Sequence, residues 1–283
     1  MATDSEVTGA ARDRGRQWLL AIVGLLFVAI YAPTVQWLWG RWTMSVWHNV
    51  HGMFIPLIVT YLVWQELKRL RSLPASSSPW GFVFLIPALI LHTLDTGLNT
   101  QLLSAASIVL AMPGLSLLFL GPARTQPIML PLLFLALMLP IPLVMTEPLH
   151  LALRHISARA AAGIVPFFGI PIYLEQTTLH TVKAQVAVVD ACSGFSTLYA
   201  SVATACLIAY IGLNWRWGSL VIIAAAPIAI AANIARVVLL VLLVQWQGAE
   251  VVETPLHPLS GILTFGLALP AIFWLGQYGG RRR

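Results

Sequence analysis

Across residues 72–153 the only ionisable side chains are His92, Asp95, Arg124, Glu147 and His150. So long a stretch with so few charges cannot form the surface of a water-soluble globule. A hydrocarbon layer of about 30 Å takes roughly 20 apolar residues per helix, so the stretch holds about three membrane crossings joined by short turns. The rest of the chain has the same character. Charged residues make up 9% of the 283 and hydrophobic residues 59%, where a soluble domain has roughly 25% charged. The sequence therefore reads as an all-α polytopic membrane protein, with residues 1–283 forming a single integral membrane domain.

Turn and charge punctuation separates eight apolar stretches: 18–39, 50–64, 80–94, 102–120, 127–145, 195–213, 217–244 and 259–278. The first is longer than a signal-peptide core and no small-x-small site follows it, so it is expected to be a retained span. Lys and Arg set the orientation. With the N-terminus in the cytoplasm, the inner side holds Arg12, Arg14, Arg16, Lys68, Arg69, Arg71, Arg124, Arg216, Arg281, Arg282 and Arg283. The outer side receives Arg41, Arg154, Arg159 and Lys183, and Arg236 falls within a span. Both termini are thus expected to be cytoplasmic, in a cell (inner) membrane. The net charge of +6 is accounted for by this topology, and no nucleic-acid partner is expected.

One connection is long. In 146–190, Glu147, His150, Arg154 and Ser157 recur at three- and four-residue intervals with Leu149, Leu153 and Ile156 opposite, the pattern of an interfacial amphipathic helix. Residues 170–189 are rich in Thr, Val, Ile and Tyr and predict extended strands or a hairpin. Together they make a small cap on the outer face.

In so apolar a chain each intramembrane charge requires a reason. Arg236 lies about 28 Å along the seventh span, close to its outer end, with Asn233 one turn earlier on the same face. The plain alternative is an arginine snorkelling to the headgroups. Cys192 begins the sixth span from the same side, in Asp190-Ala191-Cys192-Ser193-Gly194. A thiol at a helix N-terminus meets unpaired N–H groups and the positive end of the dipole, which favour the thiolate nucleophile. Ser193 can cap that helix, and Gly194 admits close approach of another backbone or a substrate. The ordinary alternative is a small buried cysteine, and Cys206, about 20 Å further along the helix, fits that description. His257 stands at the outer mouth of the eighth span, and alone it would be a loop histidine.

Hydropathy and loop charge nonetheless bring Cys192, Arg236 and His257 to one level on one side. A thiolate, a general acid or base and a cation able to stabilise an oxyanion are the parts that acyl transfer uses. Asp190 can orient His257 or shape the entrance. His48 and His51, at i and i+3, could share a helix face as metal ligands. No third ligand at suitable spacing accompanies them and the H-E-x-x-H pattern is absent, so His51 is taken as lining the same cleft and neither metal nor cofactor is expected. His92, His150, His155 and His180 are expected to be interface or cap residues. Two other readings stay open: a carrier or assembly factor with an anion site at Arg236 and Asn233, or a metalloprotease using His48 and His51.

The run Ala191-Cys192-Ser193-Gly194, then Asn233-Ile234-Ala235-Arg236, then His257 before a final span, resembles the exosortase/archaeosortase family of membrane-embedded sorting transpeptidases. The stretch from His51 to Leu57, the Pro140-Ile141-Pro142 break and Gly169-Ile170-Pro171-Ile172 extend the likeness over nearly the whole chain. The resemblance implies an eight-span protein with Cys192, Arg236 and His257 as an outer-face triad. It implies as partners exported proteins with a C-terminal tripartite tag: a short signature motif such as Pro-Glu-Pro, a hydrophobic helix and a basic tail. Many members read Leu-Arg after Cys-Ser-Gly where this chain has Phe195-Ser196, and the soluble C-terminal domain fused to some members is not expected here.

Overall fold

The computed structural model describes residues 4–44, 49–189, 192–248, 250 and 256–278. The chain divides into two compact units, Met1–Thr43 with Gly52–Pro140, and Met44–His51 with Ile141–Arg283. Among the described residues seven helices are long and apolar enough to cross a membrane.

The first unit holds helices α1 (Asp4–Thr43), α2 (Ile55–Arg69), α3 (Phe82–Leu98), α4 (Leu102–Leu120) and α5 (Pro122–Leu133). Helices α3 and α4 form a hairpin turned by Asn99, whose left-handed backbone (φ 57°) ends α3. The buried Asp95 carboxylate accepts the Ser104 N–H at 3.1 Å and the Thr100 hydroxyl, thereby capping α4. Gly81 and Gly114 let the backbones touch, since a Cβ on Gly81 would lie 2.5 Å from the Gly114 carbonyl. Tyr31 on α1 shares a 2.8 Å hydrogen bond with Ser107 on α4. The buried Trp42 indole donates to the Met138 carbonyl at 2.9 Å.

The stretch 127–145, expected to be one span, is interrupted. Helix α5 stops after 12 residues, a 3-10 helix covers Phe134–Met138, and Leu139 is extended ahead of Pro140. Proline removes the donor that would continue a helix and biases the preceding residue away from helical angles. The prolines at 140 and 142 therefore end one element and start another.

The second unit contains α6 (Leu143–Ile164), a 3-10 turn (Val165–Phe168), strands β1 (Ile172–Glu175), β2 (Thr178–Thr181) and β3 (Gln185–Ala187), and helices α7 (Phe195–Gly212), α8 (Trp215–Gln247) and α9 (Leu256–Tyr278). The strands form an antiparallel meander in the order β1-β2-β3, with Leu174, Leu179 and Val186 in register on one face. That face joins Ala158 and Ala161 of α6, Val165 just after it, and Val237 and Val241 of α8 in a core that includes Cys192. A second core gathers Ala205, Leu213, Val221, Ala225 and Ile272 from α7, α8 and α9. Asn214 caps α8, its side-chain oxygen accepting the Trp217 N–H at 3.0 Å.

Helix α6 keeps part of the expected amphipathic pattern, with Glu147 exposed and Leu153 buried, and departs from it elsewhere. Its polar residues Thr146, His150 and Ser157 are buried, 4%, 3% and 1% exposed, whereas Leu149, Leu151 and Ile156 are open. The expected interfacial helix would have turned His150 and Ser157 to water. Here both are buried beside Leu153, whereas Glu147 pairs with Arg154 at 3.2 Å on the open side that also carries Leu149, Leu151 and Ile156.

Candidate active site

Cys192 sits in the connection from β3 to α7 rather than in the first turn of α7. Two tight turns lead to it: Val189 N–H donates to the Ala187 carbonyl at 3.1 Å and Cys192 N–H to the Val189 carbonyl at 2.8 Å. The residue at the helix N-cap is Gly194, with φ +83° and no side-chain cap. Ser193, expected as the cap, stands one residue earlier, and its hydroxyl accepts the Phe195 N–H at 3.3 Å. The full benefit of the helix dipole is confined to the first turn, so the thiol gains less from it than the sequence implies. Burial pushes the Cys192 thiol above its ordinary value, with the Arg236 guanidinium pulling the other way. Burial thus favours the neutral thiol over the thiolate nucleophile.

Asn233 fixes the cysteine from α8. Its side-chain amide donates one hydrogen to the Cys192 carbonyl at 3.0 Å and the other to the Ser157 hydroxyl at 2.9 Å. The carbonyl acceptor dictates the amide orientation, because the flipped amide would set oxygen against oxygen. The Asn233 Oδ1 is buried without a partner among the described residues. Gly194 is required by the same contact: a Cβ there would lie 2.5 Å from the Asn233 Cγ, and its positive φ disfavours any side chain.

Arg236 follows Asn233 by one turn on the same face of α8. It is 7% exposed and donates from Nε to the Ser260 hydroxyl on α9 at 2.9 Å. It is therefore turned into the protein, not drawn out toward headgroups. Gly261 leaves open the space beside the guanidinium, a Cβ there lying 3.8 Å from it. His257 belongs to the first turn of α9, three residues ahead of Ser260; its side chain, together with Asp190 and His48, lies outside the described residues.

A residue that sequence reasoning passed over also belongs here. His150 shares a 3.0 Å hydrogen bond through Nδ1 with the Ser193 hydroxyl, and its ring lies 4.5 Å from that of Phe195. Tyr199, one turn beyond Phe195, receives the edge of His51 at 4.6 Å. The Nε2 of His51 is buried without a partner among the described residues. The signal for His150 lay in the spacing of Thr146, His150 and Ser157, which puts all three on one helical face. Read as a solvent face, the same spacing hid it.

The arrangement thus comprises a cysteine whose carbonyl is clamped by an amide, a buried guanidinium one turn along α8 from that amide, and helix α9 braced against the guanidinium through Ser260. No curated protein and no solved structure matches the chain. Residues 39–274, which contain Cys192, Asn233, Arg236 and His257, match the family model described as transmembrane exosortase (Exosortase_EpsH). A match of this extent establishes that the chain belongs to the transmembrane exosortases, membrane-embedded sorting transpeptidases.

Proposed function

We propose that this protein is a cysteine transpeptidase that cleaves the C-terminal sorting tag of exported proteins at the outer face of the cell membrane and passes them to an acceptor. The tag is read as a signature motif, a hydrophobic helix and a basic tail, with the helix held among the spans and the motif brought to Cys192. The observation that carries this reading is the Asn233 amide that clamps the Cys192 carbonyl at 3.0 Å, one helical turn before the buried Arg236 on the same face of α8. An anion carrier would need Asn233 free to bind solute, but both its amide hydrogens are engaged.

In the reaction, His257 takes the thiol proton and the sulfur attacks the scissile carbonyl. Arg236 neutralises the oxyanion. The intermediate collapses as His257 returns the proton to the leaving amine, leaving a thioester on Cys192. His257 then deprotonates the acceptor nucleophile, which displaces the sulfur and restores the thiol. The orientation with both termini in the cytoplasm needs an even number of crossings. Helix α5 and its 3-10 extension supply the eighth, since 12 residues at about 1.5 Å and 5 at about 2.0 Å reach about 28 Å.

The test is Cys192→Ala with a co-expressed tagged substrate. Cleavage should vanish while the variant remains inserted and abundant; unchanged processing would overturn the proposal. Arg236→Lys keeps the charge but loses the planar donor fork and should also be severely impaired. Wild-type rates there would remove the oxyanion role.

A further inference from the structure

The free edge of the small sheet is the strand that leads into Cys192. In the β2–β3 ladder, Thr181 N–H donates to the Ala184 carbonyl at 2.9 Å and Val188 N–H to the Thr177 carbonyl at 3.0 Å. The register pairs His180 with Gln185, Leu179 with Val186 and Thr178 with Ala187. In an antiparallel ladder, hydrogen-bonded and non-hydrogen-bonded pairs alternate. Residues 184, 186 and 188 therefore turn their backbone groups toward β2, and Gln185 and Ala187 turn theirs the other way. On that side, among the described residues, β3 has no neighbouring strand.

Three groups are left available. Gln185 offers both its N–H and its carbonyl, and Ala187 offers its N–H, its carbonyl being occupied by the Val189 N–H. Gln185 and Ala187 are exposed. The edge is short, three residues, but carries none of the other devices by which sheets discourage pairing, for β3 contains no proline, no charge and no left-handed residue. On its other side the strand is fixed: Val186 packs against the core that includes Val188 and Cys192. A peptide laid along this edge would thus be held by main-chain bonds to a rigid strand, and two tight turns connect that strand to the cysteine.

We propose that the β3 edge, Gln185 to Ala187, is a binding site for an extended peptide segment of the substrate, which adds as a fourth antiparallel strand through three main-chain hydrogen bonds. One substrate residue faces Gln185 and makes two bonds with it. A second, two residues toward the substrate N-terminus, accepts from the Ala187 N–H. Main-chain pairing of this kind recognises extended conformation while side chains add selectivity. This inference rests on the proposed transpeptidase reading, because it takes the Cys192 substrate as the added strand.

The test measures binding separately from cleavage. In a Cys192→Ala background purified in detergent, a fluorescent peptide carrying a Pro-Glu-Pro motif, an apolar helix and a basic tail is titrated against Ala187→Pro and Ala187→Val. Both add bulk, but only the first removes the outward N–H, and proline is tolerated where an edge N–H faces away from the sheet. Loss of one hydrogen bond of about 1 kcal/mol corresponds to roughly five-fold, so Ala187→Pro should bind about five-fold more weakly than Ala187→Val. Equal affinities would overturn the inference. Should the proline variant fail to insert, single ester replacements are scanned through the peptide against the unmodified strand. A drop confined to one position supports pairing, and indifference at every position overturns it. Cleavage of the same peptide by the Cys192-containing chain decides the transpeptidase reading independently of either binding result.

Discussion

The Asn233 side-chain amide donates to the main-chain carbonyl of Cys192 at 3.0 Å, so the position of the cysteine is set by a residue 41 positions later in the chain. The amide also holds Ser157 and so ties the β3–α7 connection to both α8 and α6. Removing it strands a buried carbonyl, at about 1–3 kcal/mol. Asn233→Ala is expected to lower the melting temperature and reduce tag processing strongly while leaving membrane insertion intact. Asn233→Asp, which has no hydrogens for either acceptor at neutral pH, should be at least as damaging. The two are compared by processing assay and thermal unfolding in detergent.

Gly194 is predicted to resist any substitution. Alanine would add about 1–2 kcal/mol for a left-handed backbone and drive a Cβ into the Asn233 side chain, 2.5 Å from its Cγ. Gly194→Ala should therefore lose activity and stability together. Combining it with Asn233→Gly relieves the contact but not the backbone strain, so the double variant should be less destabilised than the sum of the two singles. Strict additivity in thermal unfolding would show that the two positions do not meet.

The thiol should show a distinctive pH profile. Burial raises the Cys192 pKa and Arg236 lowers it, with burial the larger effect. In a Cys206→Ala background, alkylation of the resting protein should stay slow at neutral pH and accelerate only above the ordinary thiol range, roughly pH 8.5. Arg236→Gln removes the opposing charge and should shift the profile further up. A downward shift in that variant would refute the assigned electrostatics.

His150 is predicted to matter through Ser193. His150→Phe keeps a ring against Phe195 but deletes the 3.0 Å bond to the Ser193 hydroxyl, while Ser193→Ala deletes the same bond from the other end. If the pair acts as a unit, the double variant should be no worse than the more impaired single, in both processing and melting temperature. Independent losses that add would separate the two residues.

The sequence by itself determined the solvent of this protein and singled out the residues of its candidate site. Scarcity of charge dictated spanning helices, and stretches 195–213 and 259–278 stand in the structure as Phe195–Gly212 and Leu259–Tyr278. Arg236 and Asn233 were legible because a charge and an amide are costly inside a membrane unless used, and Cys192 because it stands ahead of an apolar helix at the same level. Even the strands after Gly169 showed through their β-branched composition.

Which way each surface turns was decided only by the tertiary structure. Periodicity gives a helix two faces but does not say what each meets, and α6 buries His150 and Ser157 because their partners come from the β3–α7 connection and α8. The proline-interrupted stretch 127–145 carried enough hydropathy for a span, yet backbone geometry at Pro140 and Pro142 divides it. Gly194 shows the same limit: the sequence marks it as permissive, but only the Asn233 side chain occupying the place of its Cβ makes it indispensable. Local chemistry is written residue by residue, whereas burial and orientation arise from contacts between residues far apart in the chain.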